Sequence, residues 1–312
     1  MEKASGSVMP QAESDPTMTG KHNAWLLDHY RNDYSQAGED GVLEKIFSIL
    51  PSSTKPWCVE FGAWDGEHLS NTTSLIEKQQ FAAVLLEPDP ARFELLTKRF
   101  RDRTDIFCYQ QFVGFDGPNT LDALLARTTI PVEFDLLSID IDGNDYHVWK
   151  AVQKYAPRVV IIEFNPTIPD EVSFVQPPSP AVQQGASIAA LHALAREKGY
   201  EPICITTGNL ICVRKEWFPL FCIRDNSVGA LRKDRTLITY LFCGYDGSMH
   251  LAGCGKMPWH QVPYSLQKIQ HLPRFLRSYP DNYGSIRRVA YRIIRKLRSL
   301  AVSRQTKDAL RY

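Results

Sequence analysis

The chain has 312 residues, 36 Lys and Arg against 35 Asp and Glu, a net charge of +1, and 44% hydrophobic residues. Near-neutrality excludes a globally basic nucleic-acid binder and an acidic disordered chain, and the apolar content allows a substantial core. The neutrality is a sum of unlike parts: residues 281–312 hold nine basic and two acidic residues, +7, which leaves 27 against 33, or −6, in residues 1–280.

Seven cysteines without a C-x-x-C pair fit free thiols in a reducing compartment better than a disulfide framework. No apolar run reaches the roughly 18–20 residues of a membrane span, and the first twenty residues lack the apolar core of a signal peptide. The expected location is therefore cytoplasmic.

Residues 1–24 are small, polar and turn-prone, and read as a disordered leader. Ser35 then precedes acids and an apolar stripe ending at Pro51, which predicts a helix with Ser35 as its N-cap. Short apolar runs follow at Trp57–Phe61, Ala82–Leu86, Ile106–Phe112, Phe134–Ile141 and Val159–Phe164. Helix-like stretches lie between them at 68–79, 89–101, 119–127 and 145–155. Runs hydrophobic almost throughout are what strands covered on both faces look like, and the alternation implies a doubly wound parallel α/β sheet. After a proline-rich break, a helix over Ser187–Lys198 leads to strands at Glu201–Thr206 and Leu210–Arg214. The Thr207-Gly208-Asn209 turn between them predicts an antiparallel hairpin closing the sheet. The domain is expected to span 25–219. An aromatic and Cys-rich appendage, 220–280, has one expected strand at Thr236–Phe242.

Four clusters fall at carboxyl ends of strands, where ligands bind in open α/β sheets. Val59 to Gly66 is a strand entering a glycine turn, with Glu60, Gly62, Ala63, Asp65 and Gly66 placed for close backbone approach to a ligand. Trp64 breaks the dinucleotide G-x-G-x-x-G pattern, which disfavours a nicotinamide-dependent oxidoreductase. Glu87 ends the second strand, where an acid accepts hydrogen bonds from a ribose diol. Asp140 and Asp142 would share one side of the next strand if it stayed extended. Glu163 and Asn165 end its neighbour. These acids either bind a cofactor, take a proton or hold a metal; their oxygen ligands suit Mg²⁺. An EF-hand is excluded, because its glycine position is Asp145 and its twelfth position Ala151.

The segments VEFGAWDGEHLSNT, LLEPD, TLDALL, DLLSIDIDGNDYHVWKA and VVIIEFNP together resemble the FkbM-type, S-adenosylmethionine-dependent methyltransferases. The upstream YSQAGED and the terminal helix–strand–strand extend the resemblance over roughly Tyr34 to Trp217. DIDGND departs from the usual D-x-E-G-x-E, as in a divergent branch. The resemblance implies a class I methyltransferase, Rossmann-like fold and S-adenosyl-L-methionine as cofactor. Glu60, Gly62 and Gly66 would surround its methionine moiety, Glu87 its ribose and Asp116 its adenine, with Asp140 facing the reacting end. It also implies methylation of a hydroxyl, on a carbohydrate, glycoconjugate or other small molecule; the acid excess of residues 1–280 separately argues against a nucleic-acid partner. Asp142, Glu163 and His147 are the candidates to take the hydroxyl proton. The competing reading is a non-catalytic interaction module that kept the nucleotide pocket.

In the basic tail, 281–312, Ile286, Ala290, Ile293, Ile294, Leu297 and Leu300 recur at helical spacing with most arginines on other faces. Docking on the acidic body, a solvated helix and peripheral membrane contact through 286–300 are the open readings.

Overall fold

A computed structural model describes residues 22–309, with side chains to residue 299. Most of the expected leader, and Leu300 of the tail stripe, lie outside that description.

The first compact unit runs through Arg235, past the boundary expected at 219. Its strands are β1 (Trp57–Phe61), β2 (Ala82–Leu86), β3 (Ile106–Tyr109), β4 (Leu136–Ile139), β5 (Val159–Glu163), β6 (Tyr200–Ile205) and β7 (Asn209–Arg214). They form one sheet in the order β3-β2-β1-β4-β5-β7-β6. β7 runs antiparallel to both β5 and β6, and the other pairings are parallel. This is the doubly wound sheet closed by a hairpin that the sequence predicts. β1, β2 and β4 are buried at every residue, because helices cover both faces.

The helices are α1 (Glu39–Ile49), α2 (Thr73–Gln79), α3 (Pro90–Phe100), α4 (Leu121–Leu125), α5 (Asp145–Ala151), α6 (Ile188–Glu197) and α7 (Val228–Leu231). Three start on a side-chain cap, Thr120 holding α4 through Ala123 N–H. Asp89 caps α3, accepting from Ala91 and Arg92 N–H ahead of a proline in the first turn, and Ser187 caps α6 through Ala190 N–H.

Two predicted helix starts are corrected. Ser35 is not the cap of α1, which begins after Gly38 in a left-handed conformation. The Asp40 carboxylate instead gathers the N–H groups of Asp33, Tyr34 and Ser35, each at 2.8 Å. α2 begins at Thr73 rather than 68, because Glu60 holds residues 70–72 in a turn. Neighbouring Glu39 is fully buried and accepts from Thr206 Oγ1 (2.6 Å) and Asn209 Nδ2 (3.0 Å) at the closing hairpin.

Buried Arg232 explains why the unit extends past 219. Its guanidinium pairs with Asp170 at 2.6 Å, donates to Pro166 O at 2.7 Å and lies over the Phe164 ring. It therefore fixes the segment leaving β5.

The second unit, from Thr236, contains β8 (Thr239–Cys243) paired antiparallel with β9 (Met249–Gly253), then α8 (Ser285–Ala309). Ile238, Leu276 and Tyr283 are its buried hydrophobic residues among those described. The expected appendage, 220–280, is thus divided: 220–235 belong to the first unit, and the rest falls with the tail in the second.

Candidate active site

The strand order reverses between β1 and β4, so a crevice opens at their carboxyl ends. Gly62 adopts φ +75° there, and a Cβ on it would lie 2.2 Å from the Asp140 carbonyl oxygen. The turn leaving β1 therefore touches the turn leaving β4 backbone to backbone. Gly62→Ala is expected to cost about 1–3 kcal/mol, from the left-handed backbone and the clash together. Denaturant unfolding measures this cost, and an unchanged midpoint would contradict it.

Glu87 is buried at the end of β2, next to this turn. Its carboxylate accepts from Trp64 N–H at 2.9 Å and from Asp89 N–H at 2.8 Å. Gly62 and Ala63 N–H both donate to Leu86 O, so the glycine turn is pinned to the tip of β2. On the rim, Trp64 lies 3.5 Å beneath the Arg92 guanidinium and packs against His68.

Glu60 and Asp65 serve the loop around this turn. Burial raises the pKa of Glu60, against four donors that lower it: Ser70 and Thr72 hydroxyls on one oxygen, Asn71 N–H and Ser138 Oγ on the other. Partial burial of Asp65 would raise its pKa, but the N–H groups of His68 and Glu67 outweigh it and hold the carboxylate low. Gly66 also has positive φ, and a Cβ there would meet Phe100 at 2.6 Å. Asp116 is exposed beyond β3, ahead of a short turn.

β4 ends at Ile139, and Asp142 takes φ +55°, so an extended strand is not what joins Asp140 to Asp142. A tight loop does it instead. Asp145 accepts from Ile141 N–H on one carboxylate oxygen and from Gly143 N–H on the other, both at 2.9 Å. The β4–β5 register sets Asp140 beside Glu163, following the Ile139–Ile162 pair. As a result Asp140, Asp142 and Glu163 each bring an oxygen within 4.8 Å of the others. Asn165, grouped with them by sequence, turns away to Gln184 O and Thr167.

Burial, reinforced by the charges of Asp145 and Asp142, pushes the Asp140 carboxyl up to about 8. Glu163 is raised well above the usual range for the same reasons, burial first. A carboxyl that holds its proton more tightly when folded contributes stability at low pH and loses it as pH rises from about 4 through about 8. In metal-free buffer, the Tm of Asp140→Asn should exceed the wild-type Tm above pH 8 by about 2–4 °C, with the gap closing near pH 5. Parallel Tm–pH curves would contradict the buried-acid assignment.

His147 is half-buried against Phe115, and its Nε2 lies 2.8 Å from Gln176 O. A carbonyl only accepts, so Nε2 carries the proton and is committed to the 166–186 segment. Buried Gln176, which no sequence signal singles out, donates to Asn144 Oδ1 and Val182 O and accepts from Gln184 and Gly185 N–H. It fastens that segment to the Asp142 loop.

No protein-family profile and no curated protein matches the sequence. Solved structures similar to the chain include the CurJ carbon methyltransferase, at TM-score 0.38 and 11% identity over 58% of this chain and 56% of that one. TrmK of M. capricolum, in complex with S-adenosyl-homocysteine, matches at 0.34 and 10% over 55% and 67%. The N-terminal domain of EvdMO1 with bound SAH matches at 0.37 and 10% over 59% and 84%. The chain thus spans little more than half the length of the first. Likenesses this low leave the reaction to be read from the site.

Proposed function

We propose that the chain transfers a methyl group from S-adenosyl-L-methionine to a hydroxyl of a carbohydrate, glycoconjugate or related small molecule. One observation carries this reading: the Gly62 turn, the buried acid Glu87 and the Asp140–Asp142–Glu163 trio adjoin one another at the switch point. The sequence resemblance, carried by the same segments, supports the same reading.

Gly62, Ala63 and Gly66 would admit the methionine end of the cofactor, with Glu60 and Asp65 shaping the loop behind them. Glu87 has accepting capacity beyond its two amide bonds and would take the ribose hydroxyls; Asp116 would border the adenine. Bound there, the cofactor supplies an electrophilic methyl on a sulfonium. The transfer is an in-line displacement, so the chain's main contribution is position in a crevice that excludes water. Asp142, the exposed member of the trio, would accept the acceptor's proton. Asp140 and Glu163, both raised, would keep their own protons near neutral pH and avoid three adjacent charges. His147 would support the loop rather than act as the base.

The trio also fits Mg²⁺: three carboxylate oxygens on Asp140, Asp142 and Glu163 would hold the ion, which would supply Lewis acidity. Proton handling is the reading retained, and removal of metal with EDTA tells the two apart.

Calorimetric titration with S-adenosylmethionine, S-adenosylhomocysteine and NAD tests the cofactor, with micromolar binding expected for the first two. Binding of NAD alone would sink the assignment. Methyl release on a panel of glycan acceptors, with and without EDTA, tests the rest, and unchanged rates are expected. A loss exceeding about tenfold that Mg²⁺ restores would assign the trio to a metal. Cofactor binding without transfer to any hydroxyl would favour the non-catalytic module.

A further inference from the structure

Among the described residues, 21 large hydrophobics are exposed, and 14 of them lie in the second unit. Four belong to α8: Ile286 (86% exposed), Val289 (56%), Ile293 (54%) and Leu297 (61%). At about 100° per residue they share an arc about 80° wide. The basic residues Arg287, Arg288, Arg292, Arg295, Lys296 and Arg298 lie within a separate arc about 180° across, and residues 285–299 contain no acid. Ala290, Tyr291 and Ile294 are partly buried, and Tyr291 packs on Tyr283. That flank is accounted for by packing, with Arg295 over the Tyr291 ring; the four aliphatic residues and the other five cations are not. Among the described residues none of the six cations is held in an ion pair.

We propose that α8 docks the protein on an anionic lipid surface, lying in the headgroup plane with Ile286, Val289, Ile293 and Leu297 toward the acyl chains. The argument is charge complementarity joined to an unused apolar stripe. A nucleic acid would satisfy the cations and leave the aliphatic stripe in water. An apolar protein groove would cover the stripe and leave six cations without counter-charge. A surface that offers hydrocarbon beneath anionic groups answers both at once. No helix among the described residues is long and apolar enough to cross a membrane, so the contact lies on the bilayer. One such helix gives reversible binding, which concentrates the protein near lipid-borne acceptors without anchoring it.

Vesicle flotation of the full chain tests this, comparing phosphatidylcholine alone with phosphatidylcholine containing about 30% phosphatidylserine. Binding to the anionic vesicles alone is expected, and it should be lost when NaCl is raised from about 0.1 to 0.5 M. Arg288→Glu with Arg292→Glu and Lys296→Glu should weaken binding roughly a hundredfold, at about fivefold or more per cation removed. Ile293→Asp with Leu297→Asp should weaken it at least about tenfold while all six cations remain. Salt sensitivity of the wild type keeps the test decisive should a variant misfold. Equal binding to neutral vesicles, or none to anionic ones at low salt, overturns the proposal. So does duplex DNA retention that Ile293→Asp with Leu297→Asp leaves unchanged, in the absence of vesicle binding. None of these readouts depends on methyl transfer.

Discussion

Glu87→Ala should weaken binding of S-adenosylhomocysteine by at least about a hundredfold in calorimetric titration. A carboxylate accepting two ribose hydroxyls makes hydrogen bonds worth about 1.5–3 kcal/mol each, and the alanine removes both. It also leaves the N–H groups of Trp64 and Asp89 without their acceptor, which loosens the turn that Gly62 begins. Glu87→Gln is the milder comparison. The two N–H groups bond to different carboxylate oxygens and the amide keeps only one acceptor, so an intermediate loss of about tenfold is expected, with a smaller fall in Tm than for alanine. Binding by the alanine variant within about threefold of wild type would remove Glu87 from the cofactor site.

Asp142→Asn should lower kcat by about 10²–10⁴-fold and leave the Kd for S-adenosylhomocysteine nearly unchanged. General-base assistance to a hydroxyl is of that size, and asparagine keeps the shape of the side chain while losing its capacity to take a proton. Asn also tolerates the left-handed backbone that Asp142 adopts, so the loop should persist. Asp145→Asn makes the informative comparison. Its carboxylate holds the loop through Ile141 and Gly143 N–H, and its loss should lower both kcat and Tm. A kcat for Asp142→Asn within about threefold of wild type would remove Asp142 as the base.

The sheet was readable in the sequence because strands buried on both faces must be apolar nearly throughout, and β1, β2, β4 and β5 are. The closing hairpin was readable from its Gly-Asn turn. The site was readable as a neighbourhood, since an acid directly after an apolar run must lie at a strand tip. Its internal geometry was not. Asp140 and Asp142 meet through a left-handed kink, where alternation predicts an extended strand. Ser35 looks like a helix cap until Asp40, five residues on, takes its N–H. Residues 68–72 have helical spacing, but Glu60 claims them from the adjacent strand. Gln176 joins Asn144 across 32 residues, a bond with no periodic signature. β9 was missed because it is largely exposed and so lacks a buried stripe.

The Glu39 clamp bears on how the polypeptide matures. Its two side-chain partners from the hairpin lie 167 and 170 residues downstream. While the chain is being synthesised, α1 emerges with a carboxylate destined for the interior and no acceptable place to bury it. The first half of the sheet can collapse early, but the helix opening the unit reaches its final seat only after residue 209 has left the ribosome. Such non-local closure is slow, and it exposes the intermediate to aggregation in the interval. Helix α1 and the closing hairpin therefore become native together, after the rest of the sheet.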